Sequence, residues 1–157
     1  MELKKNGVYP LIKIKSPPDV NFYSAHKSCI DKNGFVWFCR FGKNNMKTTS
    51  LDSCEHILLI KESGIKQGGV FIAEYTELST ELNANEIGIP EYYSGLPQPK
   101  ALWIKLTSLT PLDYSIFSAA FVVNSSNGSV DNIMRSMCPA FFLRSTSDQE
   151  LFRRKES

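Results

Sequence analysis

The chain has 157 residues, 42% of them hydrophobic and 22% charged, with a net charge of +2. That length suits one domain with a sizeable core, and the composition is that of an ordinary globular protein. So small a charge does not by itself argue for nucleic-acid binding, and no apolar run approaches the roughly 20 residues that span a bilayer.

Val8-Tyr9-Pro10-Leu11-Ile12-Lys13-Ile14-Lys15 reads as a first strand, with Pro10 tolerable near a strand start or edge. Ser16-Pro17-Pro18 breaks it, and Asp19 is the expected N-cap of a short helix over Val20–Cys29. Asn33-Gly34 ends that helix with residues suited to left-handed backbone. Phe35–Phe41 is the second strand, lying between Gly34 and Gly42 and dense in aromatics. It sets the indole of Trp37 and the guanidinium of Arg40 on sheet backbone. An aromatic face beside a positive charge is chemistry that holds a nucleobase on a phosphate chain; it equally describes a buried core strand.

His56–Lys61 is an apolar run of the kind that is buried on both faces. A Gly-rich turn separates it from Val70–Leu78, and the two strands are predicted to form an antiparallel hairpin. Residues 79–100 form a long loop carrying Gly88, Pro90, Tyr92-Tyr93, Gly95, Pro97 and Pro99; long loops in compact domains are often functional. Ala101–Leu109 is a fifth strand with Trp103 among apolar neighbours, which argues for core. Tyr114–Val123 is open between helix and strand, Val130–Met137 reads as a short helix, and Ala140–Arg144 as a last strand. Residues 1–150 then form one domain, and 151–157 a disordered tail. The fold class expected is mixed α/β (α+β): a small, mainly antiparallel curled sheet or barrel with short helices.

Charge is unevenly distributed. Residues 1–50 carry nine Lys/Arg against three acids, and residues 51–100 carry eight acids against three lysines. A basic first third can make a positive face or simply solvated edges. Cys29, Cys39, Cys54 and Cys138 form no CxxC pair, and with His26 and His56 they match no common zinc spacing. Reduced thiols, no metal, no cofactor and, with no leader-like apolar segment, a cytoplasmic location are the expectations. A nucleophilic Cys39 beside Arg40 would need His26 or His56 as its base. Glu74 and Glu77, an odd number apart on one strand, are expected on opposite faces and so not as a catalytic pair.

The order strand, helix, strand, hairpin, long loop, strand resembles the PUA-like superfamily, and within it the EVE and YTH domains. The resemblance is carried by Tyr9–Ser16, the helix after Asp19, the Trp37 strand, His56–Leu78 and Leu102-Trp103-Ile104-Lys105, and covers roughly residues 8–136. It implies a non-catalytic module that binds RNA or DNA, modified or not, and holds a flipped base in an aromatic pocket. It implies Trp37 as one wall, Tyr92 or Tyr93 as the second, Lys15 and Ser16 at the pocket edge, and Ser63-Gly64 approaching through backbone. Arg135 and Ser136 would contact the nucleic acid late in the chain. With Lys15 and Arg135, the guanidinium of Arg40 and the ammonium of Lys43 complete the phosphate-binding set, with Lys47 beside them in the same loop. The alternative is a small-molecule-binding or enzymatic domain using the same barrel mouth. No membrane partner is expected.

Overall fold

The computed structural model describes residues 2–3, 5–14, 20–41, 51, 54–61, 69–80, 82, 87–95, 100–131, 140–147 and 149–150. In chain order the strands are β1 (Glu2–Leu3), β2 (Val8–Ile14), β3 (Val36–Phe41), β4 (His56–Lys61), β5 (Val70–Ser79), β6 (Lys100–Leu106), β7 (Thr110–Pro111), β8 (Phe121–Val123), β9 (Ala140–Ser145) and β10 (Gln149–Glu150). Two helices are described over their whole length, α1 (Phe22–Asn33) and α2 (Tyr114–Ala120), with a 3-10 turn at Glu91–Gly95. The main sheet runs β3-β6-β5-β4-β2-β9-β8, with β7 added beside β5. Among the described residues only β2 and β4 pair in parallel; the other strand pairs are antiparallel. The fold is therefore the expected mixed, mostly antiparallel α+β sheet. Among the described residues it is an open sheet and not the barrel, because its path ends at β3 on one side and β8 on the other.

The core follows from strand alternation. In β4, Ile57 and Leu59 enter one apolar cluster while Leu58 and Ile60 enter another on the opposite face. The same division separates Ile12 and Ile14 from Leu11 in β2, and Phe71 and Ala73 from Val70 and Ile72 in β5. Phe22 and Ile30 of α1 cover the first face, and Phe117 and Ala120 of α2 the second. The result is helix, sheet, helix. Pro10 precedes the parallel ladder, which begins at Leu11 opposite Leu58, so its missing N–H breaks no bond to β4.

Helix α1 starts and stops by side-chain and backbone capping. Asn21, not Asp19, is the N-cap: its side chain accepts the Ser24 N–H at 2.9 Å. Asp19 lies outside the described residues. Gly34 takes φ 84° and returns its N–H to the Ile30 carbonyl at 2.7 Å, so the helix runs on past Cys29 to Asn33. Its buried stripe is Phe22, His26 and Ile30, each one turn apart.

The predicted hairpin is present, with His56 opposite Glu74 and Ile60 opposite Val70. The segment 114–123 uses both of its tendencies: a helix through Ala120, then extended backbone from Phe121. β5 carries a bulge between Tyr75 and Glu77, where its pairing passes from β4 to β6. The bulge inserts one residue and so reverses side-chain parity. Glu74, beside His56, and Glu77, beside Lys105, consequently lie on the same side of the sheet, contrary to the expectation from their spacing. Each is paired with its own cation, at 3.4 Å and 3.9 Å respectively. The helical reading of 130–137 and the tail 151–157 lie almost wholly outside the described residues, apart from Val130 and Asp131.

Candidate aromatic site at the sheet edge

β3 is an edge strand, so alternate N–H groups along its outer side need partners from elsewhere. Trp37 N–H donates to the Gly88 carbonyl at 2.8 Å, and Cys39 N–H donates to the Tyr93 hydroxyl at 3.2 Å. The segment 87–93 thus straps the edge. Gly88 is required twice over. Its φ is +86°, and a Cβ there would lie 2.7 Å from the Phe35 ring. Tyr93 N–H donates to the Pro90 carbonyl at 3.1 Å, which winds the 3-10 turn that turns the Tyr93 ring inward.

Alternation along β3 and β6 then builds a third cluster. Val36 and Phe38 join the first core, while Trp37 and Cys39 point the other way and meet Tyr93 and Trp103. Phe35, Leu82, Ile89 and Tyr92 pack around them, partly buried. Trp103 and Tyr93 stand 5.9 Å apart between ring centroids, and Tyr93 and Tyr92 4.8 Å apart at 87°. Opposite Trp37 in the pairing is Lys105, whose ammonium lies 4.4 Å from the Phe35 ring centroid and 5.8 Å from that of Trp37.

His26 reaches this cluster from α1. It is fully buried, with Nδ1 2.9 Å from the Phe22 carbonyl and Nε2 2.5 Å from the Tyr93 hydroxyl. A carbonyl only accepts, so the ring proton is on Nδ1 and Nε2 accepts from Tyr93 O–H. The same hydroxyl oxygen accepts Cys39 N–H. One phenol therefore joins helix, edge strand and loop, and it is also hydrogen-bonded to the Tyr92 side chain. Burial pulls the His26 pKa down to about 4, against the opposing effect of the Phe22 carbonyl. Burial likewise pushes Tyr92 up to about 12 and Tyr93 well above the usual phenol range. At the C-terminal end of α1, burial raises the Cys29 thiol, with Lys32 opposing and Glu91 of the 3-10 turn adding to the rise.

Of the residues expected at the site, Trp37, Tyr92 and Tyr93 come together. Trp37 is 6% exposed and Tyr93 1%, so the partly exposed indole expected of a stacking wall is instead packed inside the cluster; Tyr92 is half-buried. Arg40 is 5% exposed, turned inward with the first-core side of β3, and presents no open face to a phosphate. Lys15, Ser16, Lys43, Lys47, Ser63, Gly64, Arg135 and Ser136 lie outside the described residues. β2 and β4 end together, Ile14 beside Lys61, next to the start of β5. Trp37 reaches β5 through Lys105 at Glu77. From Val70 to Glu77 is roughly 20 Å at the rise of a strand, so β2 and β4 end far from the Trp37 cluster.

The basic first third is not one open face among the described residues. Lys13 is buried, and Lys27 pairs with Asp31 at 3.1 Å along α1. The nucleophile arrangement is also not formed at Cys39: both nitrogens of His26 are committed elsewhere, and Cys39 Sγ lies 3.7 Å from the Arg40 carbonyl. Among the described residues Cys29, Cys39 and Cys54 form no disulfide, and no cluster of His, Cys, Asp and Glu could hold a metal. No helix among them is long and apolar enough to cross a membrane.

His26, Phe35, Gly88 and Lys105 were not singled out as site residues by the sequence. Phe35 and Lys105 had a signal: each is two residues from a Trp on its own strand and so shares that Trp's face. His26 had the helical spacing that puts it between Phe22 and Ile30. Compared with known proteins, the chain matches no family model, no curated protein and no solved structure.

Proposed function

We propose that the chain is a non-catalytic nucleic-acid-binding module of PUA-like, EVE/YTH-like type, taking a flipped or single-stranded base at the aromatic edge of its sheet. The observation that carries this reading is Lys105, whose ammonium sits over the Phe35 ring and within 5.8 Å of Trp37, on the side of the sheet where Tyr92 is half-buried. A base needs a flat apolar face, and the phosphate attached to it needs a cation within reach. Here Phe35 and Tyr92 offer the accessible ring surface, Trp37 is the floor beneath them, and Lys105 is the cation. Lys15, Ser16, Ser63 and Gly64 remain the chain's proposed base-side contacts, and Lys43 and Arg135 its proposed phosphate contacts. The order of elements supports the PUA-like assignment as a proposal.

The test is a titration of the whole chain with fluorescent single-stranded DNA and RNA oligonucleotides, with and without modified bases, at two salt concentrations. Binding that weakens as salt rises is expected. Absence of binding at low salt, or binding indifferent to salt, overturns the reading and leaves the small-molecule alternative at the same edge.

A further inference from the structure

The rings behind that edge form a continuous path. Trp103 contacts Tyr93 at 5.9 Å between centroids, and Tyr93 contacts Tyr92 at 4.8 Å. Trp103 and Tyr93 are buried, at 3% and 1% exposure, while Tyr92 reaches the surface. In the middle of this path the Tyr93 hydroxyl is 2.5 Å from a neutral imidazole nitrogen whose own ring proton is held by the Phe22 carbonyl. Both partners are shielded from water, so water does not compete for the phenolic proton.

A phenol loses an electron far more readily when a base takes its proton in the same step, because the phenol radical cation is a very strong acid. Tyr93 has that base in hydrogen-bond contact. Among the described residues the Trp103 indole has no comparable acceptor, and Tyr92 is the ring an external reagent meets first. We propose that Tyr93 is a redox-active tyrosine, which gives one electron to a one-electron oxidant at the surface while passing its phenolic proton to His26. In that step the Tyr93 O–H bond breaks, an N–H bond forms at His26 Nε2, and the oxidant is reduced by one electron. The products are a neutral tyrosyl radical and an imidazolium that still donates from Nδ1 to the Phe22 carbonyl. A one-electron reductant of the thiol class reverses it, the proton returning from Nε2 to oxygen. This inference stands apart from nucleic-acid binding, since it uses the buried side of the cluster and not its open face.

The hydrogen bond also holds the strap to β3, so the test must read something a purely structural bond would not change. The full chain is oxidised by flash-quench with a ruthenium(III) polypyridyl complex, and the radical is identified by transient absorption and electron paramagnetic resonance. The wild type is expected to give a long-lived neutral tyrosyl radical whose formation slows in deuterium oxide. His26→Gln retains a hydrogen-bond acceptor but no basic nitrogen, and is expected to lose that radical while keeping the fold. In Tyr93→Phe the hole is expected to remain on tryptophan. Tyr92→Phe leaves the His26–Tyr93 pair intact and is expected to keep the radical; it serves even where Tyr93→Phe fails to fold. A radical of wild-type yield and lifetime in His26→Gln, or one abolished by Tyr92→Phe, overturns the proposal.

Discussion

The centre of the sheet and its β3 edge are both buried, but by different chemistry. At the centre, β4 sends Leu58 and Leu59 to opposite faces, each fully buried and surrounded by aliphatic and aromatic carbon. At the edge, one face of β3 joins that core, while the other meets two indoles, two phenols and, around the strand's margin, an imidazole. The centre has backbone partners on both sides of each strand. Among the described residues the edge has no partner strand, and Gly88 and Tyr93 supply the acceptors a strand would have given. Apolar burial tolerates loss by degrees, whereas a polar junction fails when one member is removed.

The largest effect expected at the edge is from Trp37→Ala. With the indole 6% exposed among Trp103, Tyr93 and Cys39, its removal should cost about 3–5 kcal/mol in urea unfolding. The matched change at the centre, Leu59→Ala, should cost about 2–5 kcal/mol. A cost at Trp37 below about 1 kcal/mol would mean that the indole is not part of the interior and would erase the comparison.

Tyr93→Phe sharpens it. The ring stays, but His26 Nε2 and Cys39 N–H both lose their partner. A loss of about 1–3 kcal/mol is expected, the scale for buried polar groups left unpaired. Hydrogen exchange should locate it: the amide of Cys39 exchanges faster, while that of Leu59, in the central ladder, follows only the global change. Equal acceleration at both positions would show that edge and centre unfold as one unit.

His26 gives the edge a pH dependence. Its pKa falls to about 4 in the folded chain, from about 6.5 when unfolded, because burial disfavours the charged ring. Between those values the unfolded state binds the extra proton, so stability rises with pH. The contribution is complete above pH 6.5 and is lost as pH falls toward 4. Between pH 7 and pH 5 the expected loss is about 2 kcal/mol, and replacing His26 by Phe should flatten that slope relative to wild type. The same slope in both proteins would assign it to other groups.

What the sequence disclosed follows the same division. The centre was legible because a strand buried on both faces appears as an unbroken apolar run, as in Ile57–Ile60, and because its hairpin partner is near in sequence. Helix α1 was legible through Gly34, though its cap lay two residues beyond the one expected. The pairing of β2 with β9 joins the two ends of the chain and leaves no local trace. The bulge after Tyr75 is equally silent, and it defeated the parity assigned to Glu74 and Glu77. At the edge, aromatic density around Trp37 was visible, but its burial was not. Trp37 gains its cover from Tyr93, which spacing alone does not bring near. Nor could His26 be assigned a partner, since Tyr93 lies 67 residues away in the chain.

The smallest effect on stability, and the most selective for function, is expected at Lys105. Its ammonium pairs with Glu77 at 3.9 Å and covers Phe35, with the side chain 27% exposed. A partly exposed pair of this kind contributes up to about 1 kcal/mol, so Lys105→Met should scarcely move the unfolding midpoint. Its methylene stem also keeps the Phe35 ring covered. If the aromatic edge holds a base and Lys105 its phosphate, the same variant should weaken oligonucleotide binding at low salt. The slope of log affinity against log salt should then fall by about one, the change that follows the loss of one phosphate contact. A stable variant with unchanged affinity and slope would move the nucleic acid away from this edge, toward the far end of the sheet where β2 and β4 finish.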